Sequence, residues 1–265
     1  MILPGSYANG FAPRDGQPLY PELWRGCVGA WAPCLGPTGV TLLDWSGLGN
    51  HGTLTNLTAS AAWTPAYGRH SVTFSGGISE SVVGTKGALT SAARPLTISF
   101  WYRASSVSAA RHWVYSCATG SSNPNFAVTI ERISDSSHRM GLYTGSYTYS
   151  SAFTWDLLPH HYAISWLADN TLSFYRDGML LSSTTAVPGG ISDVTWQWSR
   201  LGPGNSGFSL TVSLIGMMTH SRALRNNELA VLASRPGIAY EMAPRRRSSS
   251  AVQFNRRRRL LLGVS

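Results

Sequence analysis

HYAISWLADNTLSFYRDG, residues 161–178, decides the fold. Tyr162, Ile164 and Trp166 alternate with Ala163 and Ser165, the period of two that puts successive side chains on opposite faces of a strand. Asp169 and Asn170 supply turn chemistry, and Leu172, Phe174 and Tyr175 resume the strand. Arg176, Asp177 and Gly178 make a second turn at once. Residues 161–183 read as a three-stranded antiparallel meander.

Working outward, LTISFWY at 96–102 alternates in the same way. Leu96, Ile98, Phe100 and Tyr102 share one face, and Thr97, Ser99 and Trp101 share the other. A strand with Trp101 on its second face is expected to be covered on both sides. Further runs rich in Val, Ile, Thr and aromatics are 27–31, 71–74, 113–118, 126–130, 139–143, 195–201 and 208–220, punctuated by Gly, Asn, Ser and Pro. The only helical pattern is Ala223–Ser234, closed by Arg235, Pro236 and Gly237. Many short strands, one late helix and no β-α alternation predict an all-β antiparallel sandwich.

Composition narrows the function. Apolar residues make up 43% of the 265-residue chain and charged residues only 12%, about half the usual share. The basic side chains are twenty arginines and one lysine, Lys86. Arginine suits buried interfaces better than lysine, although a GC-rich genome would also favour it. Cys27, Cys34 and Cys117 are odd in number and lack C-x-x-C spacing, which points to free buried thiols rather than a zinc site or disulfide framework, with a Cys27–Cys34 pair across a tight hairpin as the alternative. Met1–Asn9 has neither a basic region nor an apolar run of signal-peptide length, and no stretch reaches the ~18 apolar residues of a membrane span. The expectation is a protein made in the cytoplasm, with no membrane partner.

A family resemblance rests on several pieces in order. GCVGAW at 26–31 followed by DWSGLGNHGTLTN at 44–56 resembles the opening of laminin-G-like, concanavalin A-type jelly rolls. VTFSGG at 72–77, LTISFW at 96–101, the 161–178 meander and SRAL at 221–224 resemble later strands and the closing segment of the same family. The resemblance implies a concanavalin A-like (laminin-G-like) jelly-roll sandwich over 26–234, with one short C-terminal helix. An extended arm, 1–25, would precede it, and an arginine-rich arm, 235–265, would follow. Gly47, Gly49 and Gly52 are suited to turns, and Asp44 and Asn50 to local backbone hydrogen bonds. Many relatives carry paired acids on the strand before the closing segment; here LIGMMTH at 214–220 has none. Asp44 with nearby carbonyls is the one candidate for calcium, against a structural reading of the same turn. No other cofactor is expected.

Catalysis is not expected. Glycosidases of this architecture use two carboxylates on one strand, and no strand here carries acids at i, i+2 or i, i+4. Glu131 and Asp135 are four apart but straddle a strand end. His160 and His161 are adjacent, so on a strand they face opposite ways and cannot easily share a metal. No G-x-S-x-G elbow, phosphate loop or dinucleotide fingerprint occurs. Two aromatic pairs could instead stack on sugar rings: Trp196 and Trp198 on one strand, and Tyr147 and Tyr149 on another. Core or interface packing is the alternative for both.

The C-terminal arm holds most of the net charge. Residues 235–265 carry eight arginines against Glu241, leaving +7 of the formal +9. Arg245, Arg246 and Arg247, then Arg256, Arg257, Arg258 and Arg259, run into Leu260, Leu261 and Leu262. An assembly arm would pair these arginines with an acidic neighbour and seat the leucines in an apolar groove. A solvated tail and a phosphate-binding tail are the other readings, with nucleic acid disfavoured because only Phe254 interleaves the arginines. The ending is also similar to single-domain laminin-G-like proteins of tailed bacteriophages. That similarity implies a virion structural protein, an accessory or decoration protein bound to the major capsid protein or other virion proteins, and a homo-oligomer such as a trimer. The alternative is a glycan-binding adhesion module on the virion surface or tail.

Overall fold

The computed structural model describes residues 18–66, 68–75, 80–84, 95–104, 111–118, 126–185 and 211–242, with the backbone path of 195–201. Seventeen strands make up most of it. They are β1 (Cys27–Trp31), β2 (Thr41–Leu42), β3 (Gly52–Thr55), β4 (Trp63–Ala66), β5 (Arg69–Phe74), β6 (Ser81–Gly84), β7 (Leu96–Ala104), β8 (Arg111–Ala118) and β9 (Phe126–Ser134). After them come β10 (Ser137–Tyr143), β11 (Tyr147–Tyr149), β12 (Phe153–Thr154), β13 (His160–Trp166), β14 (Thr171–Arg176), β15 (Met179–Thr185), β16 (Thr195–Leu201) and β17 (Val212–His220). Two helices, α1 (Ala59–Ala62) and α2 (Asn226–Ser234), and three short 3-10 turns complete the described chain.

The strands form two sheets. One has eight strands in the order β15-β14-β13-β7-β17-β5-β4, with β1 also paired to β17; the other has nine, in the order β11-β10-β9-β8-β16-β6-β3-β2, with β12 on β10. Every described strand pair is antiparallel, including the predicted meander β13-β14-β15. The tip between β14 and β15 is Asp177 and Gly178, both at positive φ (52° and 78°), as a two-residue hairpin turn needs.

The main core lies between the sheets. Leu96, Ile98, Phe100 and Tyr102 of β7 face it, with Trp31, Tyr115, Phe126, Tyr162, Trp166 and Phe174 all buried there. Burying such a side chain contributes about 1.5–3 kcal/mol relative to exposure.

A second, smaller core seals the outer face of the eight-stranded sheet. There Leu23, Trp24, Ala163, Tyr175, Met218, Leu224, Leu229 and Leu232 pack together. The Trp101 indole donates to the Leu232 carbonyl at 3.0 Å, so the helix covers the second face of β7 as the alternation predicts. Thr97 on that face accepts from the Leu224 amide at 3.0 Å and donates to the Arg222 carbonyl at 2.9 Å.

Three features differ from the sequence reading. The helix begins at Asn226 rather than Ala223, because Glu228 turns back to accept from the Arg225 amide at 2.8 Å and so marks the first turn. The packed body also extends past 26–234 at both ends. Leu23 is fully buried, the Trp24 indole donates to the Ala239 carbonyl at 2.8 Å, and Pro18 bridges Met242. Residues 18–25 and 235–242 thus belong to the body. Finally, Gly47 and Gly49 take positive φ in the turn after Asp44, whereas Gly52 opens β3.

Candidate functional site

With one sheet sealed by the helix, the outer face of the other is where polar chemistry gathers. On β9 the core-facing residues are Phe126, Val128 and Ile130, so Ala127, Thr129 and Glu131 face outward. The ladder then fixes their neighbours. Glu131 lies between Arg111 of β8 and Arg139 of β10. Thr129 lies between Trp113 and Gly141, and Gly141 is followed by Tyr149 of edge strand β11. In the next row Tyr143 pairs with Tyr147. Cross-strand partners of an antiparallel pair share a face, so these residues form one platform.

Its contacts are specific. Arg139 reaches one Glu131 oxygen through Nε at 2.7 Å and Nη2 at 2.6 Å. Arg111 donates to the other oxygen through Nε at 3.1 Å and also through Nη2, which bonds the Tyr149 hydroxyl at 3.1 Å. The Arg111 guanidinium lies 4.1 Å over the Tyr147 ring, and that of Arg139 lies 3.5 Å over the Tyr149 ring. Both are cation–π contacts. The Tyr147 and Tyr149 rings are nearly parallel, 6° apart with centroids at 5.5 Å. Tyr143 tilts against Tyr147 at 4.7 Å.

The platform is layered. The Glu131 side chain is 11% exposed, whereas those of Arg111 and Arg139 are 29% and 34% exposed. The carboxylate is therefore underneath and the guanidinium groups are on top. Burial tends to lower the Arg111 pKa, but the Glu131 hydrogen bond and the nearby tyrosines outweigh that and raise it. Burial, with Glu131 next, raises Tyr149, so both groups keep their neutral-pH forms.

The residues matched by a family model described as the concanavalin A-like lectin/glucanases superfamily, 75–230, include this whole platform and most of both sheets. The chain belongs to this superfamily. Among solved structures, this concanavalin A-like chain is similar to Trypanosoma rangeli sialidase in complex with sialic acid, with a TM-score of 0.60 and 14% identity, covering 91% of this chain and 37% of that one. It is also similar to the botulinum neurotoxin serotype D/C binding domain, at TM-score 0.56 and 14% identity over 80% of this chain and 52% of that one. The binding domain of botulinum neurotoxin DC in complex with rat synaptotagmin II gives TM-score 0.56 and 15% identity, with the same coverage of 80% and 52%. The chain thus spans about half the length of the neurotoxin domains and little more than a third of the sialidase. At these identities the likeness is one of fold. No curated protein matches the chain.

The other residues singled out in the sequence of this concanavalin A-like domain fall elsewhere. The ladder sets Trp196 opposite Cys117 and Gly84, and Trp198 opposite Tyr115 and Val82. Strand β16 is four strands from β11, so the two aromatic pairs do not form one platform. The assembly-arm positions Arg245–Arg247, Arg256–Arg259 and Leu260–Leu262 lie outside the described residues. Cys27, Cys34 and Cys117 are free thiols. His161 is buried with its pKa lowered to about 4 by burial, while His160 points the other way, between Asp156 and Asp177. Asp135 sits in the exposed turn after β9, paired with Arg132, away from Glu131.

Asp44 does not suit calcium. One carboxylate oxygen accepts from the Ala30 and Ser46 amides at 2.8 and 2.9 Å, and the other from the Ser46 hydroxyl and the Asn50 amide at 2.7 and 2.9 Å. Four donors aim hydrogens at those oxygens, whereas a cation needs lone pairs turned toward it. The residue ties β1 to the turn at 44–50 that leads into β3. Among the described residues no cluster of three or more His, Cys, Asp or Glu side chains is placed to hold a metal.

Arg111, Glu131 and Arg139 were not legible as a group from sequence. They are joined only by the register of β8, β9 and β10. The signal that was present is the outward parity of Glu131 in FAVTIE at 126–131, a lone acid on a strand flanked by arginine-bearing strands.

Proposed function

We propose that the protein is a non-catalytic saccharide-binding module, with its ligand held on the outer face of the nine-stranded sheet. The observation that carries this reading is the half-exposed pair of parallel rings, Tyr147 and Tyr149, set among fixed guanidinium donors. Sugars present C–H groups that can lie against the ring edges left open beside the guanidinium groups, and hydroxyls that accept from oriented N–H groups. A site of mostly apolar surface with a few fixed polar groups is the usual form of a small-ligand site. Two further facts support it. The superfamily's name includes lectins, and among similar structures one is a sialidase holding sialic acid and another concerns neurotoxin entry through two ganglioside molecules.

Binding fits the site better than turnover. Glu131 is the only carboxylate among the described outward residues of β8 to β11, and it is committed to two arginines. Glycoside hydrolysis needs two carboxyl groups flanking the bond. The test is a glycan array probed with the full chain, then with Tyr149→Ala and Tyr147→Ala. Retained binding by both variants, or no binding by the parent, defeats the reading.

A second reading rests on the arm. With +7 over residues 243–265, the protein would be fastened to a particle as a virion decoration protein, by pairing its arginines with acidic surface on neighbouring subunits. Deleting 245–265 and measuring co-sedimentation with particles tests it. Unchanged association removes the arm from that role. The two readings are compatible, since a sandwich can bind sugar while an arm anchors it.

A further inference from the structure

We infer that the saccharide taken at this face is acidic, a chain bearing carboxylate groups such as uronate or sialic residues. The inference rests on the saccharide reading above and narrows its ligand class. Three observations carry it.

The first is charge. Arg111, Glu131 and Arg139 are the charged groups of the described platform, so it keeps an excess of one positive charge. The second is layering. The single carboxylate lies beneath two guanidinium groups, and an incoming ligand meets N–H donors and ring edges rather than an acid. A neutral sugar needs acceptors as well as donors for its hydroxyls, and the exposed layer here is donor-rich. The third is unused capacity. Each arginine spends Nε and Nη2 on Glu131, and Nη1 of Arg139 has no partner among the described residues. A guanidinium held 3.5 Å over a ring, with an N–H group to spare, matches the planar fork of a carboxylate better than a lysine would. Glu131 acts here as a positioning residue: it holds both guanidinium groups over the tyrosine rings before ligand arrives.

The experiment compares ligands with identical rings. Titration calorimetry of the full chain is run with oligogalacturonate, with the same oligomer fully methyl-esterified, with 3′-sialyllactose, with dextran sulfate and with a short DNA duplex. The expected result is binding of oligogalacturonate or sialyllactose at least tenfold tighter than of the methyl ester, weakening as salt is raised. Arg139→Gln loses at least tenfold for the acidic ligand only, and Arg139→Lys, which keeps charge but not the flat fork, falls between. Thermal melts of both variants separate lost recognition from lost folding, and Arg25→Gln, an exposed charge on the opposite sheet's side, is expected to leave affinity unchanged. Equal affinity for acid and methyl ester overturns the acidic assignment and leaves the saccharide reading standing. Absence of binding to every sugar overturns both. Dextran sulfate or DNA binding as tightly as the carboxylate sugars replaces the inference with unselective anion binding.

Discussion

The Tyr149 ring lies over the bare backbone of Gly141. A Cβ built at Gly141 would come within 3.0 Å of two ring carbons of Tyr149 and 2.5 Å of the Thr129 hydroxyl. The glycine has ordinary strand geometry, so its role is space. It lets an aromatic ring settle onto the sheet, where Arg139 covers it.

Gly141→Ala is therefore expected to displace Tyr149 and uncouple Arg139 from its ring. Overpacking of this kind costs about 1–3 kcal/mol. Chemical denaturation gives the stability, and glycan binding of the same variant reads the platform. Tyr149→Ala should relieve the ring's share of the clash, leaving the contact with Thr129, so the double variant is predicted to be less destabilised than the sum of the singles.

Asp44→Ala removes an acceptor from four donors, three of them backbone amides. Hydrogen bonds to charged groups contribute about 1.5–3 kcal/mol each, and buried donors left bare add a desolvation cost. A loss above about 3 kcal/mol is expected, enough to threaten folding of a domain of ordinary stability. Calcium and EDTA should leave the melting temperature of the parent unchanged. A rise with calcium would mean that the turn opens to admit the ion.

The contrast between what was legible and what was not follows from range. The meander, the two-sided β7 and the Asp177-Gly178 tip are local patterns, set by a period of two and by turn residues within a few positions. The buried N-terminal strap, residues 18–25, is different. Leu23 and Trp24 sit in PELW, a Pro-containing run with no period, and only contact with Ala239 and His220 shows that they are core. The platform is harder still. Arg111, Glu131 and Arg139 meet through the pairing of three strands, and a shift of one residue in either pair would turn an arginine to the other face. Tyr147 and Tyr149 were visible because they share one strand. The arginines that hold them were not.

The closing SRAL segment has a physical account that gives a third prediction. Arg222 grips Glu228 of α2 through Nη1 at 2.8 Å and Nη2 at 2.6 Å, and also donates to the Arg25 and Glu22 carbonyls at 2.6 and 2.8 Å. One side chain thus ties the N-terminal strap to the helix that seals the sheet. The Arg222 hydrogen bond, acting against burial, holds the Glu228 carboxyl below its ordinary value. Arg222→Met would strand that buried carboxylate, a change that costs about 3–5 kcal/mol. The double variant Arg222→Met/Glu228→Gln should recover part of the loss. Proteolysis is expected to cut the single variant first near residues 18–26.

The histidines pull stability in opposite directions with pH. Burial lowers His112 to about 3 and holds His138, His161 and His220 at about 4, so the folded state keeps them neutral. In the unfolded chain they take protons near 6.5. Between about 6.5 and 4 the unfolded state binds more protons, and stability falls as pH falls through that range. His160 behaves in the reverse sense. Burial opposes its charge, but hydrogen bonds to Asp177 at 2.6 Å and Asp156 at 2.7 Å outweigh that and raise its pKa, with Arg176 partly countering. Its contribution is fully present below 6.5 and is lost as pH rises through its folded value. Asp156 and Asp177 are lowered in turn, so their share disappears as pH drops below their unfolded value near 3.8. The whole protein should melt lower at pH 5 than at pH 7, because four histidines outnumber one. His160→Gln should sharpen that drop, since a histidine that favours acid is gone. A shallower drop in the variant would show that His160 is not held as an imidazolium between its two aspartates.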